Sequence, residues 1–295
     1  MRYFLLIPHL KIHNANAMSS PYTIGFPAMT AWLGAVHALQ RKLHAQGCDI
    51  ELSKVAVSCH DFNLQTYKGR GDFVHSIVGT ANPLDKDGNR PAFIEEARCH
   101  LEVSILIEIE SSGVKKREQL LAYIDGLVGS MKFASGDVLS FKKVEILDFD
   151  EDEDQGQQLR PILNKLMLGH VLIERRDLVL ASMNEGKDAL DAVLDYLKVT
   201  HSSIQDEDGK VVWASKRKVQ GWLVPIAVGF QGISELGQAK NQRDANTPHR
   251  FAESVITLGE FVMPYRIESI EQLLWQYHVD LENNLYLCQN LTTTI

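Results

Sequence analysis

The sequence predicts an α+β fold with a ferredoxin-like or RNA-recognition-motif-like (RRM-like) core and an antiparallel sheet. Between residues 98 and 110, apolar and polar side chains alternate, which is typical of a strand that faces water on one side. At 28–45 and 115–131, apolar residues recur every three or four positions, as in amphipathic helices. In chain order the first elements are strand, helix, strand, strand, helix, strand, which is the order of the split βαβ core.

The first strand and the first helix lie on either side of a polar loop. Residues 2–12 are mostly apolar and are predicted to form the strand. The helix at 28–45 has Pro27 near its start and Gly47 just beyond its end, where these residue types are preferred. One stripe of this helix is apolar and consists of Trp32, Val36, Leu39 and Leu43. The opposite stripe is polar, so we expect the helix to bury one face only.

Three later strands are predicted at 54–65, 98–110 and 138–147. In the strand at 98–110, one face is apolar and consists of Leu101, Val103, Ile105, Ile107 and Ile109. The other face is mainly polar and carries His100, Glu102, Ser104 and Glu108. This alternation predicts a sheet that is covered on one face only.

A projecting hairpin is predicted at 66–96, within a core domain that spans residues 1–150. The segment is rich in Gly, Asn, Asp and Pro. Asp87 and Gly88 form a dipeptide that is typical of tight hairpin turns.

The rest of the chain is predicted to form two further parts. Residues 151–210 combine an acidic loop with a partly helical insertion. Residues 211–295 are predicted to complete the core with a strand at 221–230, where Pro225 indicates an edge position. A helix is then predicted to open at 247–254, because its Thr-Pro start is a preferred helix beginning.

Composition limits the classes of function. The chain has 295 residues, 45% of them apolar, and a net charge of −8, which argues against a protein that coats nucleic acid over its whole surface. Six acidic residues lie between 148 and 154 and predict a solvated loop rather than a calcium site. The four cysteines form no CxxC pair, so we expect reduced thiols, no metal and no cofactor. No membrane-spanning run or leader pattern is found, so a cytoplasmic location is expected.

The stretch "HNANAMSSPYTIGFP" at 13–27 is the strongest candidate binding segment. Asn amides and Ser hydroxyls both donate and accept hydrogen bonds, so they suit the base edges and ribose hydroxyls of RNA. The candidate residues are Asn14, Asn16, Ser19 and Ser20. The alternative is that these side chains satisfy the backbone of their own loop, as Asn and Ser often do.

Basic residues near aromatic or amide side chains give further candidates. Such clusters suit a single strand whose phosphates are neutralised while its bases stack. Residues 240–250 surround the predicted helix start, where free backbone N–H groups would favour an anion. The candidates in these clusters are Arg70, Arg90, Arg217, Lys218, Asn241, Arg243 and Arg250.

Eleven histidines raise a catalytic alternative, a ribonuclease that works without metal. His13 and His37 are the candidates for the general base. The sequence contains no HExxH, GxSxG or Walker-type motif, and neither histidine has a partner at a fixed spacing.

Four segments resemble the family of second Csy subunits of type I-F CRISPR surveillance (Cascade) complexes, Cas-five-type members of the RAMP group of RNA-binding proteins. They are "IHNANAMSSPYTIGFPAMTAWLGAVHALQRKL", "NPLDKDGNRPAFIEEARCHLEVSILI", "GWLVPIAVGF" and "TPHRFAESVITLGEF". The segments occur in order along the chain, whereas residues 111–210 match only loosely.

The resemblance implies a ferredoxin-like RAMP core and a non-catalytic role in antiviral defence. Such a subunit holds the 5′ handle of CRISPR RNA, pairs with the large subunit and adjoins the terminal backbone subunit. Target DNA is an indirect partner at most, and no membrane is involved. The resemblance implies that Asn14, Asn16, Ser19 and Ser20 face the handle and that Arg243 and Arg250 contact its backbone. It also implies that the hairpin with Arg70 and Arg90 is a thumb over the RNA.

Three functions therefore remain open from the sequence. The first is a non-catalytic RNA-binding scaffold of a CRISPR ribonucleoprotein (Csy) complex. The second is a metal-independent CRISPR endoribonuclease of the RAMP group. The third is a protein-interaction domain that does not contact RNA.

Overall fold

The structure is a computed structural model that describes all residues except 79–83, 91–95, 111–115, 153, 206–207, 243, 245 and 291–295. Its helices are α1 (Met29–Ala45), α2 (Arg117–Val128), α3 (Gln155–Leu166), α4 (Arg176–Asn184) and α5 (Ala189–Leu197), with 3₁₀ turns η1 (Pro264–Arg266) and η2 (Ile270–Gln272). Its strands are β1 (Arg2–Asn16), β2 (Met18–Ser20), β3 (Thr23–Ile24), β4 (Glu51–Leu64), β5 (Thr66–Tyr67), β6 (Ser76–Ile77), β7 (Arg98–Glu110), β8 (Lys132–Phe133), β9 (Gly136–Ser140), β10 (Glu145–Phe149), β11 (His170–Glu174), β12 (Thr200–Gln205), β13 (Val211–Lys216), β14 (Trp222–Gly232), β15 (Ala252–Val262), β16 (Trp275–Asp280) and β17 (Leu285–Asn290).

One large antiparallel sheet organises the molecule and confirms the predicted α+β class. Its strand order is β11-β15-β14-β17-β16-β4-β7-β1-β9-β8, and β10 pairs with β1 beside β9. The predicted strand at 138–147 is therefore two strands, both paired with β1. Because β11 also pairs with β4, the pairings from β4 through β16, β17, β14, β15 and β11 form a closed circuit.

The first face of the sheet is covered by α1 and α2. The predicted apolar stripe of α1 is buried, and Trp32 and Leu43 are fully inaccessible to water. These side chains pack in one cluster with Ile12, Val103 and Ile124 of β1, β7 and α2. Burial of such large apolar side chains is the main stabilising contribution to this layer.

The second face is covered over half of its length, which corrects the prediction of a sheet that is covered on one face only. Leu6 and Leu106 on this face pack under α3 and the segment 264–274. Leu163 of α3 and Leu273 of that segment belong to the same buried cluster. From residue 104 to 109 the strand β7 is therefore buried on both faces. Alternation along one strand could not reveal this cover, because the covering elements lie far away in sequence.

A second correction concerns residues 247–254, where the sequence predicts the opening of a helix. The structure instead has β15, which pairs with β14 along its length and with β11 at its end. Three consecutive residues, Val255, Ile256 and Thr257, are β-branched, and such residues favour a strand. Thr247 does not cap a helix but donates a hydrogen bond to Asp244 Oδ2 at 2.7 Å. The proposed anion site at a helix start is therefore wrong.

Pro225 lies in β14 opposite Leu258 of β15. The partner on the other side of β14, strand β17, pairs only with residues 229–231. Pro225 therefore occupies a local edge, where its missing N–H interrupts no hydrogen bonds between strands.

None of the helices in the described ranges is long and apolar enough to cross a membrane.

Glu174 gives a prediction about pH, because its side chain is only 1% exposed. Burial raises its pKa from 4.5 to about 7, while its Oε2 accepts a hydrogen bond from the Asn290 backbone N–H at 3.0 Å. The folded protein therefore binds more protons than the unfolded chain between these values, so stability falls as pH rises from 4.5 to 7. We expect Glu174→Gln, which keeps the acceptor, to remove this decline and to raise the free energy of unfolding by about 2 kcal/mol at pH 8.

Urea unfolding at pH 5 and pH 8 measures this effect. The exposed Glu282→Gln serves as the control and should leave the pH dependence unchanged. If Glu174→Gln is no more stable relative to the original chain at pH 8 than at pH 5, the buried carboxylate does not titrate as described.

Candidate nucleic-acid interface

The uncovered half of the second sheet face carries a group of polar side chains that we call the histidine face. It is formed by His9, Lys11 and His13 of β1, His60 of β4, and His100 and Glu102 of β7, with the buried Ser104 of β7 at its boundary. The three strands are neighbours in the sheet, so side chains that alternate along each strand meet on one surface. This half stays open because α3 and residues 264–274 cover only the other half.

At one end of this face, the rings of His13 and His100 stack with centroids 4.4 Å apart and planes 23° apart. His100 Nδ1 accepts a hydrogen bond from the Asn14 backbone N–H at 3.2 Å. Gln65 Nε2 donates to Asn14 Oδ1 at 3.1 Å and lies 3.3 Å from His100 Nε2. Asn14 is thus joined to the histidine face, and its side chain is exposed.

The position of Asn14 follows from a bulge in β1. The register with β7 shifts between Ile12 and Ala15, and Asn14 has a left-handed φ of 59°. Asn adopts this region more readily than most residues, because its short polar side chain bonds locally. The bulge turns the end of β1 so that Asn14 reaches His100.

In the middle of the face, His9 and His60 stack with centroids 4.3 Å apart and planes 16° apart. His9 Nδ1 lies 2.7 Å from Glu102 Oε1, and His60 Nε2 lies 2.7 Å from Ser104 Oγ. Burial, and then the neighbouring His9 ring, lower the pKa of His60 to about 4. The hydrogen bond with His9 lowers the pKa of Glu102. At neutral pH His60 is therefore an uncharged ring, and Glu102 is a carboxylate.

The polar loop after β1 is largely satisfied by its own hydrogen bonds. The Asn16 amide donates to Met18 O and accepts from Met18 N–H, both at 3.1 Å. The Ser19 and Ser20 hydroxyls lie 2.8 and 2.7 Å from Thr23 Oγ1. Ser20 is also buried, at 5% exposure. These contacts match the alternative that was left open for this loop.

Asn16 and Ser19 still line an open cleft of about 440 Å³ beside α1. The floor of this cleft is made of small residues of the helix, including Thr30 and Gly34. Lys132 lies on its far wall. The cleft is thus a second polar surface, separate from the side chains of the histidine face.

The hairpin candidates lie on exposed backbone. Arg70 is exposed between β5 and β6, which pair with each other at two positions. Arg90 is exposed just after a turn in which Asp85 O accepts a hydrogen bond from Gly88 N–H at 3.0 Å. The turn lies where the sequence predicted it.

The candidates at 217–218 differ from each other. Arg217 is exposed. Lys218 Nζ donates to Ser182 Oγ at 2.9 Å and to Asp195 Oδ2 at 2.8 Å, and it lies 4.3 Å from the centre of the Tyr196 ring. Lys218 therefore links the loop before β14 to α4 and α5, so its charge already has a partner within the chain.

Two of the C-terminal candidates, Asn241 and Arg250, lie between β14 and β15. Asn241 is exposed, with a left-handed φ of 61°. Arg250 is half-buried, packs against the backbone of Gly232, and donates to Asn284 Oδ1. Arg243 lies outside the described residues.

The histidine face was not identified from the sequence, although one signal for it was present. The alternation His100, Glu102, Ser104 marked a polar strand face, but the partners on β1 and β4 could not be read from it. His9 and His60 contact each other only because the strand order places β7 between β1 and β4 with matching registers.

Three observations bear on catalysis. The structure gives His13 a histidine partner, His100, whereas His37 lies exposed on α1. Burial raises the pKa of the Cys59, Cys99 and Cys288 thiols to about 12 each, so none of these three is a thiolate nucleophile at neutral pH. Within the described ranges, no group of three or more His, Cys, Asp or Glu residues is placed to hold a metal ion.

Comparison with known proteins gives matches that extend over nearly the whole chain. The family model described as CRISPR-associated protein (Cas_Csy2) matches residues 5–288. The chain is also 34% identical over 307 aligned residues to the "CRISPR-associated protein Csy2" of Pseudomonas aeruginosa (strain UCBPP-PA14). That alignment covers 96% of this chain and 93% of the relative. The family match includes β4, β7 and β1 from residue 5 onward, and these strands form the histidine face.

Proposed function

The chain belongs to the Csy2 family of CRISPR-associated proteins, and on this premise we propose that it is a non-catalytic, RNA-binding scaffold subunit of a type I-F CRISPR surveillance complex. Its ligand is the 5′ handle of CRISPR RNA. Its partners are the large subunit, with which it forms a heterodimer, and the terminal backbone subunit.

The open histidine face is the observation that carries the RNA-binding part of this proposal. Single-stranded RNA is recognised by rings on which unstacked bases lie and by side chains that bond base edges and 2′-hydroxyls. The two stacked histidine pairs supply rings, while Asn14 and Gln65 supply amides beside one of them. Lys11, which is exposed, adds a positive charge to the same surface.

A ferredoxin-like RAMP core is part of the proposal. The order of neighbouring strands supports it. Strands β9 and β10 together occupy the position on one side of β1, and β7 and then β4 follow on the other side, with antiparallel pairing throughout. The two helices α1 and α2 connect these strands in the order of the split βαβ core and pack on one face.

Assembly with protein partners is supported by the ribbon β12–β13. Every residue of these two strands is exposed, including Trp213 at 71% and Ile204 at 64%. An isolated two-stranded ribbon is at best marginally stable in water. A partner subunit that covers the ribbon would bury these apolar side chains.

The RNA-binding role is tested by replacing the ring pair at the end of the face. We expect His13→Ala combined with His100→Ala to weaken binding of a 5′ handle RNA by about 10- to 100-fold, because stacking contributes about 1–3 kcal/mol per base. The salt dependence of the affinity should change little, since base stacking neutralises no phosphate. Fluorescence anisotropy with the purified full chain at pH 7.5 measures both quantities.

The matched control is His44→Ala combined with His278→Ala, because both of these histidines are exposed outside the face. The control should bind the handle as the original chain does. Equal affinity in the two double variants would contradict RNA binding at the histidine face. Handle binding that is absent from the original chain would favour a protein-interaction domain without RNA contact.

A metal-independent endoribonuclease is the second candidate, and the His13–His100 pair favours it. Two imidazoles 4.4 Å apart have the chemistry to remove a proton from a 2′-hydroxyl and to protonate the leaving oxygen. Incubation of the full chain with repeat RNA and a metal chelator distinguishes the two functions. We expect intact RNA, and multiple-turnover cleavage that is abolished by His13→Ala would replace the scaffold proposal.

A further inference from the structure

An aromatic pocket of about 400 Å³ opens where the closed circuit of strands meets the polar loop. Its walls come from β4, β11, β14 and β15, and Ile24 to Phe26 of the loop close one side. The mouth of a barrel-like circuit is a common place for a ligand site, because side chains from several strands converge there. None of the sequence candidates for RNA binding lies in this pocket.

The walls of this pocket are mainly aromatic, with Phe26, Phe62, Trp222 and Phe261 among them. Trp222 is 55% exposed and Phe62 is 37% exposed. The rings next to Trp222 meet it at an angle, since His170 lies at 73° and Phe261 at 50°. Neither neighbour therefore stacks in parallel on the indole, which leaves a flat apolar surface for another ring.

Three polar residues that line the pocket are called its rim. They are His60, Asp61 and His170, and they supply hydrogen-bond donors and acceptors. A flat ring with a polar edge fits these surroundings better than an aliphatic side chain does, because aliphatic groups would leave the rim without partners. The Asp61 carboxylate also disfavours a phosphate inside the pocket, so a base is the part of RNA that fits.

The pocket is continuous with the histidine face through His60. This ring stacks on His9 within the face and also lines the pocket. Gly169, next to His170, makes the junction close, because a Cβ at this position would lie 2.9 Å from His60 Nδ1. An RNA strand that lies on the histidine face therefore meets the pocket at His60.

From this geometry we infer that the pocket receives one unstacked nucleobase of the RNA that lies on the histidine face, with the base against Trp222 and Phe62 and its polar edge at the rim. The inference rests on the proposed function, since it assigns a subsite to the same RNA. It goes beyond that function because, apart from His60, the pocket is lined by residues outside the histidine face.

The test couples the pocket to a single nucleotide. We expect Trp222→Ala to weaken binding of the 5′ handle RNA by about 5- to 100-fold, as removal of one base stack does. A series of handle RNAs, each with one abasic nucleotide, should contain one member that binds the original chain weakly. Trp222→Ala should have the same affinity for that abasic RNA as for the unmodified RNA, because the removed ring and the removed base belong to one contact.

Two further variants separate stacking from a general loss of fold. Trp222→Phe keeps a ring and should restore most of the affinity. Tyr265→Ala removes a ring that is equally accessible, at 65% exposure, from η1, and it should have no effect. Circular dichroism of all variants shows whether the sheet is intact.

The outcomes distinguish this inference from the proposed function. If the original chain binds the handle and the His13 and His100 variants weaken it, but no abasic position couples to Trp222, only the nucleobase pocket is overturned. If Trp222→Ala binds RNA normally and loses a copurifying subunit instead, the pocket receives a protein side chain. If the original chain does not bind the handle, both proposals are wrong.

Discussion

Replacing Glu108 with glutamine is expected to lower the free energy of unfolding by about 3 kcal/mol at pH 7, because it breaks a buried ion pair. Glu108 Oε1 accepts a hydrogen bond from Arg2 Nε at 2.6 Å, and Lys54 Nζ lies 3.1 Å from Oε2. The side chains of Glu108 and Arg2 are only 8% and 14% exposed. Arg2 also donates to Glu271 Oε1 at 2.5 Å, so the pair joins three core strands to η2. Loss of the Glu108 charge leaves Arg2 and Lys54 to share Glu271, so this buried cluster then has less negative charge than its two cations require.

The loss should depend on pH in one direction. Burial disfavours the charged form of Glu108, but the hydrogen bond and the charge of Arg2 outweigh it, so the net result is a lowered pKa. The contribution of Glu108 is therefore fully present above its unfolded pKa of about 4.5 and is lost as pH falls below it. We expect the difference between the original chain and Glu108→Gln to shrink in this acid range. Urea unfolding followed by circular dichroism from pH 3.5 to pH 7 measures the difference.

The control is Glu145→Gln, which removes an exposed ion pair. Glu145 and Lys165 lie 2.6 Å apart, and their side chains are 41% and 38% exposed. Exposed pairs contribute less than about 1 kcal/mol, so this variant should remain close to the original chain. Similar losses in the two variants would show that burial does not strengthen the Glu108 pair.

Gly229→Ala is the second change with a large expected effect, about 3 kcal/mol of destabilisation from overpacking. A Cβ at this position would lie 2.0 Å from Tyr286 O and 2.8 Å from Leu287 Cα, both of which are backbone atoms of β17. Strand β14 would have to separate from β17, which is the link between the C-terminal strands and β16. Thermal unfolding and hydrogen exchange of β14 and β17 amides measure the change.

The matched control is the same substitution in a helix. A Cβ at Gly126 in α2 meets nothing within 4 Å, and the residue is exposed. Gly126→Ala should stabilise the protein by about 0.5–1 kcal/mol, because alanine loses less backbone entropy in a helix. A loss of stability in both variants, or in neither, would mean that the approach of β17 does not decide the effect at Gly229.

Local patterns predicted the first half of the fold well. The strand at 98–110 and the helix at 28–45 are confirmed as β7 and α1, because their apolar periodicities are long and regular. The family resemblance is also confirmed, by matches that extend over almost the whole chain. The prediction failed at 247–254, where a Thr-Pro pair resembled a helix start. The segment instead leads into β15, which is held by pairing with β11 and β14. No local pattern in the sequence reveals this pairing.

The candidate site was only partly predictable for the same reason. Asn14 was chosen for its amide, and the structure joins it to His100 and Gln65. Asn16 and Ser20 have the same chemistry, yet their hydrogen bonds are used within the loop. Residue type indicates what a side chain can bond, but only its neighbours decide whether that capacity is used.

The sequence by itself determined the α+β class, the buried face of α1 and the family, because each depends on residues that are close in the chain or on the order of segments. The tertiary structure decided which half of the second sheet face stays open. That choice depends on α3 and residues 264–274, which lie far beyond β1 in the sequence. It also placed His9 on His60 and His13 on His100, because the registers of three strands bring together rings that are far apart in sequence.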